Sequence, residues 1–142
     1  MSRNAIEDLL DRVYKRVGSY DPVKIAKAYG FEVLDTFLDT DTLGTRVTSN
    51  RMTTIILNIE MPEWERPRVF LHEIKHCLVD KEYSTPFMRR KQLDRGVSKI
   101  ESEAYYFAVQ ALVRDYADEF DGMTKYQIAA ALGLDDNWAQ FI

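Results

Sequence analysis

Pro67-Arg68-Val69-Phe70-Leu71-His72-Glu73-Ile74-Lys75-His76-Cys77-Leu78 is the stretch on which the reading of this chain turns. Pro67 suits the first turn of a helix, where its missing N–H is no loss. Phe70, Ile74, Cys77 and Leu78 then form a core-facing stripe at helical spacing. His72, Glu73 and His76 fall on a neighbouring face of a helix that runs to about residue 80.

His72 and His76 are the only two histidines among 142 residues. At i and i+4 they lie one turn apart on one face of a helix. Two imidazoles so placed can hold one metal ion, and Glu73 beside them can handle a proton. H-E-x-x-H on a helix is the signature of zinc hydrolases. The plain alternative is a surface helix with two solvated histidines.

Outward from the motif, the upstream half alternates between helix and strand signals. A helix capped by Asn4 carries Ile6, Leu9, Leu10, Val13 and Val17 at helical spacing and stops near Gly18. Asp21-Pro22 reads as N-cap and first residue of a short helix, Pro22 to Tyr29, closed by Gly30. Residues 31–37 read as a strand. Residues 44–49 and 53–59 form a β-branched hairpin around Asn50-Arg51. The second of these strands is either the sheet edge that an extended substrate joins or an ordinary core strand.

Downstream, residues 81–96 are polar and basic and read as a loop. Ser98 caps a long helix to about residue 120, with Glu101 completing a capping box. A small helical pair follows from Gly122 and breaks at Gly133.

Bulk properties narrow the class. A 46% hydrophobic and 30% charged composition suits one globular domain. A net charge of −4 argues against a protein held to nucleic acid phosphates. The terminal helical pair resembles half of a helix-turn-helix, but its second helix begins with Asp135 and Asp136, which phosphates repel. The N-terminal residues form no signal-peptide core, and no apolar run approaches a membrane span. One cysteine, Cys77, excludes an intrachain disulfide and fits a reducing cytoplasm. The expectation is a cytoplasmic protein with no nucleic acid or membrane partner.

A catalytic zinc keeps three protein ligands and a fourth position for water. Glu82 is a poor third ligand, because Val79 stands where a glycine turn is needed to bring residue 82 back. Asp80, one turn past His76, fits a supporting place or solvent better than a ligand place. The next helix offers Glu101-Ser102-Glu103-Ala104. Glu103 is the first choice, beside the small Ala104, and Glu101 the next.

Leu71-His72-Glu73-Ile74-Lys75-His76 followed by Glu101-Ser102-Glu103-Ala104-Tyr105-Tyr106-Phe107-Ala108 resembles the ImmA/IrrE family of metallopeptidases. Ile25 to Val33 resembles that family's short helix and first strand, and Thr54-Ile55-Ile56-Leu57-Asn58 its strand before the motif helix. The likeness covers roughly residues 20–135. Lys75 stands where the family usually has glycine, Tyr105 where it has asparagine, and Arg114-Asp115 where it has Met-Pro.

The order of the elements suggests an α+β domain over residues 1–121, and the resemblance implies a compact zincin-like fold for it. It would comprise a small three-stranded antiparallel sheet, the motif helix and a second ligand helix, with a C-terminal helical extension, 122–142, packed on it. It implies Zn²⁺ held by His72, His76 and Glu103, with Glu73 as catalytic base. It also implies an endopeptidase that cuts a helix-turn-helix repressor in a phage or mobile element. The alternative is an antirepressor that captures the repressor without cutting it. Tyr105, Tyr106 and Arg68 are candidates for steadying an oxyanion, each with an ordinary structural explanation.

Overall fold

A computed structural model of the chain describes residues 1–81, 88–89 and 98–142. The expected loop over 81–96 and the rejected ligand Glu82 thus lie almost wholly outside the described residues. The order of elements is α1 (Arg3–Val17), α2 (Pro22–Tyr29), β1 (Glu32–Thr36), β2 (Thr42–Ser49), β3 (Met52–Asn58), α3 (Arg66–Val79), β4 (Met88–Arg89), α4 (Lys99–Asp115) and α5 (Lys125–Ala131). Short 3-10 turns at Ala117–Phe120 and Asp136–Phe141 flank α5. The class is α+β, with a small sheet. Among the described residues no helix is long and apolar enough to cross a membrane.

Local chemistry explains the helix boundaries. Ser2, rather than Asn4, caps α1: its Oγ accepts from the Ala5 N–H at 3.1 Å, so the helix starts earlier than expected. Asp21 caps α2 as predicted, and Gly30 ends it with φ 75°. Ser98 caps α4 by accepting from the Glu101 N–H. The helix stops at Asp115, and a 3-10 turn takes over the remainder.

The sheet order is β1-β3-β2-β4, and it is mixed rather than all antiparallel. β2 and β3 form the expected hairpin, with Asn50 and Arg51 both at positive φ in its turn. β1 pairs parallel to β3 on the other side. Because β3 is hydrogen-bonded on both sides, it cannot be the edge that accepts a substrate strand. The core-strand alternative is the correct one, and Ile55 and Leu57 on β3 are fully buried. Buried Asn58 at its end donates to the carbonyls of Asp39 and Thr42, tying the entry of β2 to β3.

α3 lies against β2, β3 and α4, while α1 and the terminal 3-10 turn cover α4 from other sides. α4 is therefore buried nearly all round, with Ala104, Ala108 and Ala111 on one stripe of small residues. The β2–α3 contact depends on Gly44. A Cβ there would stand 2.9 Å from Val69 Cγ1 and 3.3 Å from the Ile56 carbonyl oxygen. Val69 is β-branched and three residues before His72, so the motif helix would have to shift. Gly44→Ala should therefore lower unfolding free energy by about 1–3 kcal/mol, measured by urea titration.

Candidate metal centre

The motif does not sit on a solvated face. Residues 68–77 of α3 are all buried, and His72 and His76 are 0% exposed. This removes the surface-helix alternative. Buried imidazoles and charges are costly unless partnered, so the partners define the site.

The two imidazoles aim Nε2 at each other, 3.2 Å apart. The Glu101 carboxylate completes the group, 2.9 Å from His72 Nε2 and 3.0 Å from His76 Nε2. Glu101 does not fold back to cap its helix as the capping-box reading proposed; its side chain is drawn to the imidazoles. Glu103, the first choice for third ligand, is not brought to them. Its carboxylate meets Lys75 Nζ at 3.4 Å and the Met1 amino group. Positions 101 and 103 are about 200° apart around a helix, so only one can face a given point on α3.

Glu73 also borders the centre, with His72 and His76 in one group whose candidate ligand atoms lie within 4.8 Å of one another. Its Oε1 accepts from Arg46 Nη1 on β2 at 3.2 Å. Sequence reasoning missed Arg46. Its only signal is a place two residues after Gly44 on the same side of β2, which means nothing until β2 is known to cross α3.

The surroundings hold each ring in place. His76 Nδ1 lies 2.9 Å from Asp80 Oδ2, and Lys75 Nζ donates to the same oxygen at 2.7 Å. Asp80 is thus a supporting residue, as its sequence position suggested. The His72 ring packs on Tyr105, with centroids 4.6 Å apart, and Tyr105 in turn packs on Trp138 and Phe141. His72 Nδ1 has no hydrogen-bond partner among the described residues, so the Nε2 contact with Glu101 and the packing on Tyr105 orient that ring. Tyr106 donates its hydroxyl to Glu7 and is engaged elsewhere, whereas Arg68 bonds Glu65 through Nη2 alone and keeps Nε and Nη1 buried without a hydrogen-bond partner among the described residues.

Electrostatics follow from this crowding. Burial holds His72 below its ordinary pKa, despite the bond to Glu101. Burial also opposes charge on His76, but the bonds to Asp80 and Glu101 outweigh it and raise that group. Burial would push Glu101 up, yet the two imidazoles hold it well below the usual carboxylate range. Burial pushes the Cys77 thiol up to about 12, so it is neither a thiolate ligand nor a nucleophile at neutral pH.

The donor set fits a divalent metal. Ligands ~2.0–2.2 Å from a tetrahedral zinc stand roughly 3.3 Å apart, close to the separations of the three donors here. The cluster also carries four carboxylates (Glu73, Asp80, Glu101, Glu103) against two side-chain cations (Arg46, Lys75) among the described residues. The Met1 amino group on Glu103 is a third cation, so the cluster keeps a surplus of one negative charge, which favours a bound cation.

No protein-family model matches the chain. The chain is similar to the uncharacterized immunity region protein 2 of Bacillus phage phi105. The two are 29% identical over 111 residues, which span 78% of this chain and 70% of that protein.

Proposed function

We propose that the chain is a zinc-dependent endopeptidase acting on a regulatory protein of a phage or mobile element. The reading is carried by one observation: two Nε2 atoms and a carboxylate converge on a point flanked by a second, arginine-held carboxylate. His72, His76 and Glu101 would hold the metal, Glu101 replacing Glu103 in the set that the family resemblance implied. Zinc bound there supplies a Lewis acid and lets a water ionise near neutral pH.

Glu73 is the base in this reading. With Oε1 held by Arg46, Oε2 takes the proton of the water that adds to the peptide carbonyl carbon. The same oxygen returns that proton to the amine as the C–N bond breaks. The immunity-region relative supports a role in phage immunity, and the ImmA/IrrE resemblance supports a helix-turn-helix repressor as substrate.

A second reading is capture without cutting. It is favoured by the closure of the site, where Glu73 is 2% and Glu101 3% exposed, and by the hold of Arg46 on Glu73. Incubating the protein with a helix-turn-helix repressor from the same phage or mobile element, with and without zinc, separates the two. Fragments that require zinc support the peptidase; a stable, uncut complex supports capture.

Glu73→Gln should keep zinc binding and abolish cleavage, and cleavage that survives the change removes Glu73 as the base. Glu101→Ala should weaken zinc binding by more than ~100-fold, whereas Glu103→Gln, which reaches the site only through Lys75, should cost no more than the ~10–100-fold of a residue outside the ligand set. Competition with a chromophoric chelator measures both, and the reverse order would restore Glu103 as the ligand.

A further inference from the structure

Lys75 is the irregular member of the motif, and it is wholly buried. A fully buried lysine is rare unless paired. Here Nζ donates to Asp80 Oδ2 at 2.7 Å and to Glu103 Oε2 at 3.4 Å. Asp80 Oδ2 is also the atom that lies 2.9 Å from His76 Nδ1.

Residues 75 and 80 would not share a face on a continuing helix. They meet because α3 ends at Val79 and Asp80 leaves helical geometry, at φ −120° and ψ 38°. From that cap position the short carboxylate folds back over the last turn. The Lys75 ammonium reaches it at 2.7 Å.

A carboxylate held only by His76 could swing toward solvent, since Asp80 is partly exposed. The Lys75 ammonium fixes it from the buried side and is itself fixed by Glu103 from α4. The ring of His76 is thereby oriented through a chain of charged bonds that ends on the neighbouring helix. Partners of this kind set ring orientation and basicity in metal sites.

We propose that Lys75 is a positioning residue for the metal centre, acting on His76 through Asp80. Glu103, which the sequence put forward as a ligand, serves as the counter-ion of that lysine. The inference rests on the reading of His72, His76 and Glu101 as a zinc site.

The test measures the zinc affinity of the purified chain by chelator competition, and the melting temperature in EDTA alongside. Lys75→Met and Asp80→Asn should each weaken zinc binding by about 10–100-fold. The double variant should be no weaker than the weaker single one, because both changes break one chain of contacts. A lysine that only supports the fold would lower the melting temperature and leave zinc affinity unchanged, and that result overturns the proposal. So do effects of the two changes that multiply.

Lys75→Met leaves buried Glu103 with the Met1 amino group as its one cation among the described residues, so Lys75→Met/Glu103→Gln serves if the single variant does not fold. It should fold and still bind zinc weakly, and wild-type affinity in it also overturns the proposal. A wild-type chain that binds no zinc overturns the metal centre itself. Tight wild-type binding with an unaffected Lys75→Met overturns the positioning role alone.

Discussion

The structure depends on removing a charged stretch of helix from water and satisfying it from several directions at once. Residues 68–77 of α3 are buried without a break, and within them lie His72, Glu73, Lys75 and His76. An unpaired ion in such a place costs several kcal/mol, more than a domain of this size can lose at several positions. Two neighbours of α3, and its own C-terminal end, therefore supply polar groups as well as apolar contact. β2 sends Arg46 to Glu73, α4 sends Glu101 to the imidazoles and Glu103 to Lys75, and the end of α3 itself returns Asp80.

The same arrangement explains why α4 is buried almost all round. Its small residues Ala104, Ala108 and Ala111 take one stripe, its two glutamates point to different partners, and Tyr105 holds the His72 ring. Tyr105 is held in turn by Trp138 and Phe141 near the C-terminus. The last turn of the chain thus bears on a histidine of the motif through two ring contacts. Gly44 plays the matching role on the opposite side, letting the β2 backbone come close to α3 so that Arg46 can reach Glu73.

Much of this was legible beforehand where the signal is local. The spacing of Ile6, Leu9, Leu10 and Val13 marks α1, Asp21-Pro22 and Gly30 bound α2, and Asn50-Arg51 marks the hairpin turn. His72, Glu73 and His76 stood out because helical geometry alone puts the two histidines on one face. The errors are non-local. β3 looked open as an edge because nothing in its residues says that β1 will pair with it in parallel. Glu101 looked like a cap because Ser98 stands three residues before it, as in a capping box. Its N–H does bond Ser98, while its carboxylate, free to rotate, goes to the imidazoles.

The sequence by itself determined the helices, the hairpin and the pairing of two histidines with a glutamate, because each is written in spacings of a turn or two. Only the tertiary structure decided which glutamate of α4 meets those histidines, since 101 and 103 differ by a rotation of the helix that depends on how α4 packs. It alone decided that Arg46 belongs to the site, since that contact joins residues 27 apart on a strand and a helix. It also gave Lys75 its place. Buried between Asp80 and Glu103, that lysine is a cation paired to two carboxylates.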